Sequence, residues 1–141
     1  MASLIAGLVG GVAATVVMTA AMMVLGDGGP PPTAQLVAKF AGGDPAERAM
    51  PGMALHLLYG IVAGGVFAVG APLLGARLGS LGVAVALGVV YGVVLAAVGM
   101  GFWMRLVLGV DPDRGTLATF ATVHVLYGVV LGAVLGAGVV A

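Results

Sequence analysis

The chain contains no cysteine. Disulfides, thiolate metal centres and cysteine nucleophiles are therefore excluded, and nothing follows about redox compartment. Charge is almost as scarce. Only 7% of the 141 residues are Asp, Glu, Lys or Arg, where a soluble domain carries roughly 25%. A surface that poor in charge would not stay dispersed in water, and a composition 62% hydrophobic points to lipid as the solvent. Five basic residues balanced by five acidic ones make no nucleic-acid footprint. The serines are Ser3 and Ser80, both near helix ends; no carboxylate pair lies in an apolar run and no phosphate-binding loop occurs. Catalysis in the manner of soluble enzymes is not expected, and the chain reads as a non-enzyme.

The few charges punctuate what is present. Uncharged runs cover residues 2–26, 49–76, 78–104 and 115–141. Each exceeds the roughly 20 residues that cross a hydrocarbon core. A helix of about 25 residues is about 37 Å long, enough to span with tilt. The runs lack the period-two polarity of a lipid-facing barrel. The first run has no basic n-region and is expected to be a retained span, not a signal peptide. The expected fold is all-α, a four-transmembrane-helix bundle occupying residues 1–141 as a single membrane domain.

The connections differ in length. Residues 27–50 open with "GDGGPPP", which stops the first helix. "TAQLVAKFA" follows and predicts a short surface helix with Thr33 as N-cap and Leu36, Val37 and Phe40 on one face. The second connection, around Gly75 to Ser80, is tight and carries Arg77. The third contains "DPDRG".

Two segments resemble each other. "DPAERAMPGMALHLLYG" begins at Asp44, and "DPDRGTLATFATVHVLYG" begins at Asp111. Both run from Asp-Pro through an arginine to His-x-Leu-Tyr-Gly. The first and third runs match more loosely, as in Gly11-Val12 against Gly88-Val89. The chain therefore reads as two tandem helical hairpins, residues 1–76 and 77–141, forming a parallel repeat about an axis along the membrane normal. Asp44 and Asp111 are expected to start turns or cap helices and to pair with Arg48 and Arg114. Lys39, Arg48, Arg105 and Arg114 fall on the side of the first and third connections, and Arg77 falls on the other. The positive-inside rule makes the first and third connections cytoplasmic in a cell membrane. Phe102, Trp103 and Arg105 fit an interfacial belt there.

Residues four apart share a helix face. One such face is His56, Gly60, Gly64, Ala68; another is His124, Gly128, Gly132, Gly136. Small-xxx-small faces let helices approach closely in lipid, so these glycines read first as packing grooves. An ionisable residue inside a span is also a functional-site hypothesis. Three readings of His56 and His124 follow. Both rings are neutral and structural; or they ligate a cofactor, haem b held axially with glycine leaving room for the macrocycle; or they carry protons or line a solute path. A divalent metal would need more ligands than the two histidines, so no metal site is assigned. Tyr59 and Tyr127 follow the histidines by three residues and are expected to bond across the bundle as polar partners. The methionines read as gap fillers, and a methionine axial ligand has no support in the sequence.

The Asp-Pro and His-x-Leu-Tyr-Gly pattern, with the first helix "GLVGGVAATVVMTAAM", resembles small four-helix membrane proteins of archaea and bacteria, YagU-like ones included. The resemblance implies a helical bundle and brings no catalytic or binding residue with it. Together these readings favour a non-catalytic accessory or scaffold subunit in the lipid bilayer, packing as a homo-oligomer or in a larger membrane complex. The alternatives are a bis-histidine haem b electron-transfer protein and a small proton or solute transporter or channel.

Overall fold

The structure, a computed structural model, describes residues 3–140. Its helices are α1 (Leu4–Leu25), α2 (Pro32–Ala41), α3 (Ala49–Leu73), α4 (Leu81–Val98) and α5 (Arg114–Gly136). A 3₁₀ turn, Pro45–Arg48, leads into α3, and a π-helical segment, Gly99–Val107, continues α4. No strand occurs among the described residues. The four long segments are apolar enough and long enough to cross a membrane: Leu4–Leu25, Pro45–Leu73, Leu81–Val107 and Arg114–Gly136. The protein is thus an all-helical membrane protein, as its charge pattern requires.

Local chemistry sets the ends. Ser3 caps α1 by accepting from the Ala6 N–H at 3.0 Å. α3 closes in a Schellman turn, with Gly75 N–H on the Pro72 carbonyl at 2.9 Å and Ala76 N–H on that of Ala71 at 3.0 Å. Gly75 has φ +84°, which a side chain would resist. Leu78, expected to open the third span, is instead buried below the turn, and α4 starts at Leu81. α4 alone covers about 27 Å, short of roughly 30 Å of hydrocarbon. The π-helical segment extends it to Val107.

Two sequence expectations about caps are corrected. Thr33 is not the N-cap of α2; Pro31 holds that position, Pro32 supplies the first turn, and Thr33 Oγ1 is buried with no partner among the described residues. Proline's fixed φ suits that first turn, where no N–H is needed. The face of α2 against the bundle is set by Ala34, fully buried on Gly52 of α3, while Phe40 stays exposed. Asp44 caps the 3₁₀ turn through Ala46 N–H at 2.9 Å, but Arg48 bonds the Gly42 carbonyl and not Asp44. At the second site the cap is Asp113, accepting from Thr116 N–H at 2.7 Å; Asp111 lies 3.5 Å from Arg105 and not against Arg114. The Thr116 N–H holds the Asp113 carboxyl below its usual range.

α1 packs against α3, α4 against α5, and α1 against α5. Side chains link α3 to α4 as well: the Phe67 and Tyr91 rings stack at 4.8 Å. The core contains Ala6, Ala14, Met18, Ala63, Phe67, Val123, Tyr127, Leu131 and Leu135. Val16, Val62, Val66, Val90 and Leu106 point outward, each more than half exposed, as a lipid-facing surface allows.

Candidate functional site

The glycine faces meet backbone. A Cβ on Gly88 would strike the Gly128 carbonyl, and one on Gly128 would strike that of Gly88. In the other helix pair a Cβ on Gly11 would lie 2.6 Å from the Gly60 carbonyl oxygen, and one on Gly64 would strike that of Gly7. Gly60 lies under Thr15, Gly132 under Ala84 and Val85, and Gly136 under Leu81. All of the expected groove residues are therefore occupied by neighbouring helices.

What packing leaves open is a small central cavity of about 40 Å³, lined by Thr15 and Met18 of α1, His56, Tyr59, Gly60 and Ala63 of α3, Leu95 of α4, and His124 and Tyr127 of α5. Both histidines reach this one space. They lie about 10 Å and about 15 Å along their helices from the ends that carry Ala49 and Arg114.

Their surroundings differ. His124 Nδ1 is 2.7 Å from the Phe120 carbonyl oxygen, and the Phe120 ring lies on the imidazole at a centroid separation of 4.2 Å. Nδ1 must donate in that bond, so in the neutral ring Nε2 is an acceptor. The residue one turn before His56 is Gly52, whose face is filled by Ala34. His56 gains no ring contact there, and its Nε2 is buried without a hydrogen-bond partner among the described residues.

The tyrosines also divide. Tyr127 donates to the Gly60 carbonyl at 2.5 Å, joining α5 to α3. Tyr59, expected to do the same, is 42% exposed beside the cavity and makes no hydrogen bond among the described residues. Tyr91 takes the complementary role, donating to the Ala63 carbonyl at 2.8 Å from α4. Thr15 of α1, one turn after Gly11, donates to the Gly11 carbonyl at 2.7 Å.

The haem reading does not fit this geometry. It required open glycine grooves, and these are filled by the backbone and side chains of neighbouring helices. A cavity of about 40 Å³, a few times the roughly 10–15 Å³ that one water needs, is far too small for a macrocycle. Among the described residues no group of three His, Asp or Glu side chains is placed to hold a metal. No protein-family model, curated protein or solved structure matches the chain.

Proposed function

We propose that the protein is a non-catalytic membrane module, an accessory or scaffold subunit that packs through its lipid-facing surface against copies of itself or other membrane proteins. The observation that supports this is where the open space lies. The cavity that holds the histidines is only about 40 Å³, while an apolar recess of about 420 Å³ lies outside, between α1 and α3, lined by Leu4, Leu8, Val62, Gly65, Val66 and Val69. Ridges of valine beside small residues are what transmembrane helices pack into. A polar track through the bundle, which the transporter reading needs, is opposed by the closed glycine seams.

The duplication belongs to the same proposal. Gly11 lies on Gly60 as Gly88 lies on Gly128, and Gly7 lies on Gly64 as Ala84 lies on Gly132. These contacts follow the register of the two sequence segments. The YagU-like resemblance fits the same architecture.

The test fills the recess. Val66 is 57% exposed, so Val66→Trp should leave the single chain folded and abolish its assembly. Native mass spectrometry from mild detergent should show a homo-oligomer or a stoichiometric membrane partner for the unaltered protein and the bare chain for the variant. A bare chain in both cases, or assembly unchanged by tryptophan, overturns the proposal.

A further inference from the structure

Buried polar atoms are nearly always paired with protein or ordered water. Within the four described spans, His56 Nε2 is the buried side-chain nitrogen or oxygen left without a partner. It belongs to a ring that lines the central cavity together with His124 and Met18. We propose that this cavity is a binding site for a soft monovalent cation of the Cu(I) class, ligated by the imidazoles of His56 and His124 and the thioether of Met18.

The donor set argues for that class. Thioether sulfur selects Cu(I) over hard cations, and imidazole suits copper in either case. The sequence offered two histidines and no third ligand; the fold brings the third from α1, where Met18 is 3% exposed. Its spacing from the histidines in the chain gave no signal, because the three residues lie on three different helices.

Charge argues the same way. All three ligands are neutral, and no Asp or Glu lines the cavity. A divalent ion would bring two uncompensated charges into a low-dielectric interior, where desolvation is severe. A monovalent ion brings one. Size agrees as well: about 40 Å³ holds a bare ion or a few waters, and a divalent ion with its full hydration shell does not fit.

One of the two imidazoles is already oriented by its other ring nitrogen. Metal-bound histidines usually donate their other ring N–H to a carbonyl or carboxylate, which fixes the tautomer and directs the free nitrogen to the metal. His124 does this through Phe120. Thr15 is held back on the Gly11 carbonyl, and Tyr127 on that of Gly60, so neither hydroxyl proton competes for a ligand nitrogen.

The test uses full-length protein in detergent under anaerobic, reducing conditions. Cu(I) is titrated against a chromophoric Cu(I) chelator, with Ag(I) as a redox-inert probe and Zn(II) for comparison. One Cu(I) per chain is expected, with an X-ray absorption spectrum fitted by two nitrogens and one sulfur. Met18→Leu preserves volume, and His56→Gln retains a polar side chain. Each should weaken Cu(I) binding by about tenfold or more, on the scale at which even outer-shell changes act. Met23→Leu, at a 78% exposed position, should leave binding unchanged. Absence of stoichiometric Cu(I), a spectrum without sulfur, or Zn(II) uptake equal to that of Cu(I) would overturn the assignment and leave an ordered water as the partner of His56. These readouts are independent of assembly, so the scaffold proposal stands or falls separately.

Discussion

Tyr59 and Tyr127 occupy equivalent places in a repeated pentapeptide, yet only Tyr127 holds the bundle together. The Gly60 carbonyl it bonds is in the α3 backbone, where an oxygen has a second lone pair beyond the one used within the helix. Interhelical hydrogen bonds in membranes average about 0.6 kcal/mol, and removing one partner of a buried bond in water costs about 1 kcal/mol. Tyr127→Phe should therefore destabilise the folded protein by about 1 kcal/mol in reversible detergent unfolding, and Tyr59→Phe should change it by much less. Equal losses would contradict the division of roles seen here. The histidine pair was legible in the sequence as two rings at a similar depth. Their inequivalence was not, because it depends on the preceding turn: Phe120 covers His124, whereas Gly52 is turned against Ala34 of α2. Nor was Met18 distinguishable from the other methionines until α1 was set between α3 and α5.

At the level of helices, charge spacing was sufficient to read the four spans, because a transmembrane helix is dictated by apolar length more than by any single residue. It could not show that the third span changes from α to π at Gly99. A shift of hydrogen-bond register leaves hydropathy untouched. Here it follows from packing and termination: the Phe120 ring lies against Gly99, Leu108 N–H reaches the Trp103 carbonyl at 2.9 Å, and Lys39 from α2 donates to the Val107 carbonyl at 2.5 Å. A lysine at the negative end of a helix is favourable. The glycine seams were legible as packing faces, but which helix filled each one was not. A methyl group at Gly128 meets backbone that cannot rotate away, whereas Gly82 on α4 has nothing within 4 Å of an added Cβ. Overpacking costs about 1–3 kcal/mol, and alanine in a helix gains up to about 1 kcal/mol over glycine. Gly128→Ala should lower the unfolding midpoint, and Gly82→Ala should leave it level or raise it. The reverse order would mean that α4 and α5 do not meet at these residues.

For the whole molecule, a strict two-fold relation between hairpins would pack α3 on α4 as closely as α1 on α5, and it does not. Phe67, Tyr91 and the cavity occupy the looser side. Sequence similarity could suggest a common ancestry for the halves but not this departure from symmetry. The remaining property of the whole is its direction in the bilayer. Lys39 joined to Val107 ties the first connection to the end of the third span, so the first and third connections share one side. That side carries Lys39, Arg48, Arg105 and Arg114, against Arg77 on the other, and a lysine–arginine bias of this kind retains loops in the cytoplasm. The absence of cysteine makes the polarity directly measurable. Glu47→Cys and Asp111→Cys sit at exposed positions of the first and third connections, and Gly79→Cys sits at an exposed position of the second. In intact cells a membrane-impermeant maleimide should label Gly79→Cys and leave the other two unlabelled until the membrane is opened. Labelling of Glu47→Cys and Asp111→Cys from outside would reverse the proposed polarity. Labelling of just one of those two would break the pairing of the first and third connections, and with it the four-span topology on which the shared cavity depends.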